Sequence, residues 1–82
     1  MLDERYSIAS QRKIKKMHYK DAMDIIDRVN SMRSSPFPRN AARCKDNEFR
    51  ENVFELIHFG YRILYELNFE DNVILIHNIE EC

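Results

Sequence analysis

Glycine occurs once, proline twice and tryptophan not at all in this 82-residue chain. That scarcity excludes collagen-like and linker-like sequences, which are built from Gly and Pro. There are two cysteines, Cys44 and Cys82, with no Cys-x-x-Cys pair and no Cys/His spacing suited to zinc. A small secreted scaffold needs more bridges than two cysteines can supply, so the chain reads as a reduced, cytosolic protein. No run of about 18 apolar residues occurs, which excludes a membrane-spanning helix. The opening Met-Leu-Asp-Glu-Arg has the pattern of neither a signal peptide nor a transit peptide.

What is present is a globular balance: 44% hydrophobic and 33% charged residues, with five Phe and four Tyr carrying the aromatic load. The length fits one small domain over residues 1–82, which buries roughly 60–65% of the surface of its unfolded chain. A two-domain enzyme, a barrel or a dinucleotide-binding fold does not fit. The net charge of −1 hides a split, +5 over residues 1–50 and −6 over residues 51–82. A basic front half attracts a polyanion and an acidic back half attracts a basic chain. Two solvated faces that cancel explain the same numbers equally well.

Arg5 to Ala9 is expected to form a short strand. Ser10 then caps a short helix over Gln11 to Met17, whose Ile14 and Met17 share a face among Arg12, Lys13, Lys15 and Lys16. These cations attract phosphate without sequence preference, although an ordinary solvated face is the default reading. From Tyr19 to Met32, the spacing of Ala22, Ile25, Ile26, Val29 and Met32 predicts an amphipathic helix, stopped by Ser34-Ser35-Pro36-Phe37-Pro38. The period then changes from 3.6 to 2. Strands are expected at Val53–Ile57, Tyr61–Leu67 and Val73–His77, joined by a turn that needs positive φ at Gly60 and by an acidic turn at 68–72. Ala41 to Lys45 can add an edge strand. The result is an α+β domain, with a short N-terminal strand and a two-helix hairpin on one face of a three- or four-stranded antiparallel sheet. Ile25, Ile26, Val29, Leu56, Ile63, Leu64, Tyr65, Ile74 and Ile76 are the expected core. The last strand, ending in Glu80-Glu81, is expected at a sheet edge where a partner can dock.

Val53 to His77 resembles the C-terminal sheet of the RelE/ParE superfamily, the toxins of type II toxin–antitoxin systems. The resemblance rests on Gly60-Tyr61-Arg62-Ile63-Leu64-Tyr65-Glu66, on Glu70-Asp71-Asn72 followed by Val73-Ile74-Leu75-Ile76, and on a helical hairpin ending at Ser35-Pro36. Cys44-Lys45-Asp46 stands where the family usually has a leucine-x-glycine step. The family's basic positions before the turn fall on Val53, Glu55 and Ile57, and the usual C-terminal Arg or Tyr has no counterpart after Glu80-Glu81-Cys82.

The resemblance implies a cytoplasmic toxin that a small, partly disordered antitoxin wraps. It also implies translation blocked by ribosome-dependent mRNA cleavage, with ribosome and mRNA as partners and no cofactor or metal. Cleavage at a 2′-hydroxyl needs a proton acceptor, cations for the developing phosphorane charge and an acid for the leaving oxygen. Arg62 matches a family position and is the candidate phosphate contact, with a structural arginine bonding across the sheet as the plainer reading. Glu55 is a candidate base, or simply a solvent-facing strand residue. His58 and His77 are candidates because imidazole titrates near neutrality, and His58 is grouped with Arg62 and Glu55 as the catalytic set. Arg43, Lys45 and Arg50 are the candidate RNA-binding cations. The alternatives are a non-nucleolytic, ParE-like binder of DNA gyrase and an inactive homologue that binds only its antitoxin or a second copy of itself.

Overall fold

A computed structural model describes residues 1–38, 41–43 and 53–82. The elements in chain order are β1 (Asp3–Tyr6), α1 (Ile8–Lys16), α2 (Tyr19–Met32), β2 (Ala41–Arg43), β3 (Val53–His58), β4 (Tyr61–Asn68) and β5 (Val73–Glu81). They form one five-stranded sheet in the order β1-β5-β4-β3-β2. The α+β architecture is the expected one, and β2 to β5 are antiparallel throughout. The N-terminal strand adds a fifth, parallel member by pairing with β5. That pairing places Val73–Ile76 of β5 inside the sheet, so among the described residues the expected edge at the last strand is confined to His77–Glu81.

Register explains why β1 lies earlier than its composition suggests. Asp3 to Tyr6 match Val73 to Ile76 one for one, and the chain then leaves the sheet at Ser7. Ser7, not Ser10, is the N-cap of α1. Its backbone is extended, and its Oγ accepts the Ser10 amide at 3.1 Å. Ser10 is fully buried, and its hydroxyl donates to the Ile76 carbonyl at 2.9 Å.

α2 occupies its expected span, with the His18 ring accepting the Lys20 amide as the cap. Ala22, Ile25, Val29 and Met32 are buried at i, i+3, i+7 and i+10. Ile26 falls off that line and is only half-buried. The core joins Ile25, Val29 and Met32 to Leu56, Ile63, Tyr65, Leu67, Ile74, Ile76 and Ile79, with Ile14 of α1 and its C-cap Met17 packed against it. Both helices therefore cover one face of the sheet. Leu64 is buried as expected but pairs with Val53 in a separate small cluster on the other face. Truncating Ile25 or Ile63 to Ala is expected to cost about 2–5 kcal/mol, and truncating Ile26 markedly less. Chemical denaturation of the three variants checks the order.

The β3–β4 turn is tight, with Phe59 at φ 47° and Gly60 at φ 83°. Two positive-φ residues match the right-handed strand twist, and glycine takes the second without strain. Asn72 takes the left-handed region (φ 58°) in the β4–β5 turn, where the Asn68 side chain accepts the Asp71 amide at 3.0 Å.

Candidate functional site: a charged network on the open sheet face

Strand alternation decides what faces away from the helices. In β4 the odd positions Tyr61 to Leu67 point to the helices, and Arg62, Leu64 and Glu66 point away. Among the described residues no helix covers that second face. Glu55 of β3 sits diagonally from Arg62, and the Arg62 Nε donates to its Oε2 at 2.8 Å. Across the other flank Arg62 opposes Glu80 of β5, and Nη1 lies 3.3 Å from its Oε2. The guanidinium is thus held between two carboxylates, each pair only partly exposed.

A second polar pair lies further along the same face. His77 Nε2 is 2.9 Å from Glu66 Oε1. A register shift at Leu64/Tyr65 explains this placement: β4 passes from Asn78 to Ile76 as partners and leaves His77 as the extra residue. A bulge of this kind re-aims a side chain and reverses the phase beyond it. That is why β5 continues past the expected His77 end, with Ile79 buried and Glu80 turned to the open face. The bulge is tied down from below by α1. The Ser7 hydroxyl donates to the His77 carbonyl at 2.6 Å, and the Ser7 amide donates to the Ile76 carbonyl at 2.9 Å.

Arg62 and Glu66 are four residues apart on one strand, so their Cα atoms are about 13 Å apart. Leu64 lies between them. This face therefore carries a carboxylate–guanidinium group and an imidazole–carboxylate group on either side of the buried Leu64.

The structure brings Glu55 and Arg62 together and does not bring His58 to them. His58 opposes Tyr61 on the helix-bearing face. There burial lowers its pKa below the ordinary histidine value, and the Arg28 charge adds to the effect against a smaller opposing pull from Asp24. A lowered value means that the unfolded chain binds the proton more readily. Stability from this group is full above pH 6.5 and is lost as the pH falls toward the folded-state value. An NMR titration is expected to show the His58 midpoint below 6.5, and His58→Gln should flatten the acid-side loss of stability.

Arg43 opposes Phe54 on β2 and shares its helix-bearing face, the side away from Arg62. Lys45 and Arg50 lie outside the described residues. Glu80 and Glu66 were not legible as site residues. The alternation Arg62-x-Leu64-x-Glu66 signals a shared face, but only the register across β5 supplies their partners. Among the described residues no three His, Cys, Asp or Glu side chains gather as a metal site would, and no helix is long and apolar enough to cross a membrane.

No protein-family model matches the chain, and no curated protein matches it. Solved structures do. A chain of the toxin–antitoxin complex RelBE2 from Mycobacterium tuberculosis superposes with a TM-score of 0.83 at 15% identity, covering 99% of this chain and 98% of that one. The isolated RelE toxin of Escherichia coli gives 0.81 at 13% identity, over 100% of this chain and 85% of that one. The YoeB dimer of Staphylococcus aureus gives 0.76 at 17% identity, over 99% and 97%. The chain has the fold of the RelE-like toxins, as the Gly60-Tyr61-Arg62 turn and the element order lead one to expect.

Proposed function

We propose that this chain is the toxin of a type II toxin–antitoxin pair, and that it blocks translation by cutting mRNA on the ribosome with its open sheet face. The observation that carries this reading is the Arg62 guanidinium held between Glu55 and Glu80, with the His77–Glu66 pair on the same face. The fold shared with the RelE and YoeB toxins supports it. Glu55 takes the proton of a ribose 2′-hydroxyl, and the freed oxygen attacks the adjacent phosphorus. Arg62 stabilises the charge that builds on the phosphorane oxygens. His77 gives a proton to the departing 5′-oxygen. The products are a 2′,3′-cyclic phosphate and a 5′-hydroxyl. Glu66 orients the His77 ring, and Glu80 orients the guanidinium.

The partner in this reading is a small antitoxin that wraps the domain with an extended, partly disordered segment, and the location is the cytoplasm. Complexes of RelE-like and YoeB toxins with RelB and YefM support the pairing. Tyr19 and Met23 leave apolar surface exposed on α2 for such a segment. A second reading has one specific observation in its favour. Three carboxylates surround Arg62 and His77 on the open face, and that excess repels a phosphate backbone but suits a protein target such as DNA gyrase. Inducible expression with separate measurement of protein and DNA synthesis decides between them. The RNA reading expects protein synthesis to stop first while DNA synthesis continues. The gyrase reading expects the reverse, and an inactive homologue changes neither.

A further inference from the structure

The bulge in β5 decides where the imidazole stands on the open face, and the hydrophobic pattern does not choose its position. Ile76 and Ile79 are both buried. They lie three apart on one strand, so both reach the helix-bearing face only if one residue between them is extra. Either His77 or Asn78 satisfies that condition. With Asn78 as the extra residue, His77 would stand opposite Leu64, midway between Arg62 and Glu66. With His77 as the extra residue, Asn78 opposes Leu64 and the imidazole lies against Glu66, as observed. The ladders do not decide between the two. β4 pairs as many residues in either case, and among the described residues β1 pairs with Val73–Ile76 and ends there.

The corner between β1 and α1 supplies what the ladders lack. The Ser7 amide and the Ser10 hydroxyl both donate to the Ile76 carbonyl, each at 2.9 Å. The Ser7 hydroxyl donates to the His77 carbonyl at 2.6 Å. In a regular strand successive carbonyls point to opposite edges. Here two successive carbonyls accept from the same side, which is the mark of a bulge held at this pair. A bulge at Asn78 would turn the His77 carbonyl toward β4 and take it away from the Ser7 hydroxyl. Ser10 is fully buried, and the Ser7 Oγ accepts its amide at 3.1 Å, so the two hydroxyls are fixed to each other and to α1.

We infer that Ser7, backed by Ser10, is the positioning residue for His77: its hydroxyl selects the bulge that sets the imidazole against Glu66 rather than between Glu66 and Arg62. The consequence for chemistry rests on the proposed RNA cleavage, in which His77 protonates the departing oxygen; the clamp itself does not. Capping alone does not account for the arrangement. A cap needs only an acceptor for the Ser10 amide, and the Ser7 proton goes instead to a strand seventy positions away.

The test separates the cap from the clamp. Ser7→Asp keeps an acceptor for the Ser10 amide, and Asp caps as well as Ser, but its carboxylate has no proton for the His77 carbonyl. Ser7→Thr keeps both functions. The full chain is isotope-labelled at its histidine ring nitrogens, and the imidazole resonances are recorded without RNA. Glu66→Gln identifies the signal of the His77 Nε2 bonded to Glu66. Ser7→Thr is expected to keep that signal and Ser7→Asp to lose it, with both variants folded. Ser10→Ala removes a donor to Ile76 and no cap. It is expected to change the signal in the same direction by less, and it keeps the test valid should Ser7→Asp unfold. A wild-type signal in folded Ser7→Asp overturns the proposal and leaves Ser7 a cap only. So does an unchanged signal in Ser10→Ala where Ser7→Asp unfolds. On RNA, Ser7→Asp should lower kcat about tenfold to a hundredfold at unchanged KM, because a small misplacement of a reacting group costs that much, and Ser7→Thr should restore it. A lost signal with undiminished kcat also overturns the positioning role. If the wild-type chain cuts no RNA, the spectra still decide the clamp, and failure of the spectra leaves the cleavage reading standing.

Discussion

Replacing Arg62 by Ala is expected to lower RNA cleavage by about two to three orders of magnitude while leaving the fold intact. A single preorganised donor aimed at developing negative charge is worth that much in comparable acyl- and phosphoryl-transfer sites. Glu55→Gln should cost about 10²- to 10⁴-fold, because it removes the proton acceptor without changing shape. The stability cost should be small. The Arg62–Glu55 and Arg62–Glu80 pairs sit at side-chain exposures of 29–40%, and solvent-screened pairs of this kind contribute about 1 kcal/mol or less. Cleavage rates and thermal midpoints measured on the same preparations separate the two effects. A variant that unfolds would mark Arg62 as structural. A folded variant with undiminished cleavage would remove it from the chemistry.

The largest stability effect is expected at Tyr65. Its ring is fully buried at the centre of β4 and stacks on Phe54 at 5.7 Å. Its hydroxyl donates to the Pro36 carbonyl at 2.8 Å, which ties the segment after α2 to the sheet. Burial pushes the phenol pKa up to about 12, so it stays a donor throughout the physiological range. Tyr65→Ala should cost about 3–5 kcal/mol, a large part of the 5–15 kcal/mol by which domains of this kind are stable. Tyr65→Phe isolates the hydrogen bond and should cost about 1 kcal/mol, with Phe37 and Phe54 still in contact. Equal losses in the two variants, read from urea unfolding, would mean that the ring's packing matters little.

The helices and the three long strands were legible because their periods are strong. Ala22, Ile25, Val29 and Met32 mark one helical stripe, and Gly60 with Tyr61 marks a hairpin. The details that build the site depend on contacts between distant segments. β1 is placed by four residues that pair in parallel with β5, and nothing local in Asp3–Tyr6 specifies that register. Ser7 and Ser10 are both good caps. Which one begins the helix depends on the carbonyls of Ile76 and His77, about seventy positions away. Strict alternation carried past Ile76 would turn Asn78 to the core and send Ile79 outward. The bulge reverses that phase, buries Ile79 and sends His77 to Glu66. Composition offers His58 and His77 alike as imidazoles, and it is strand parity that sets His58 against α2. Glu55 and Arg62 were both identifiable, but their contact follows from the hairpin register, not from either residue alone.

The central claim is that the open face cuts RNA, and end-mapping of cellular RNA tests it most directly. RNA is collected shortly after induction of the wild-type chain and of Arg62→Ala, and the new ends are located and their chemistry determined. New breaks in translated mRNA, ending in 2′,3′-cyclic phosphate and 5′-hydroxyl groups and absent with Arg62→Ala, are the result this account predicts. Intact mRNA under wild-type expression that arrests growth, or breaks that persist undiminished in the Arg62→Ala strain, would contradict it.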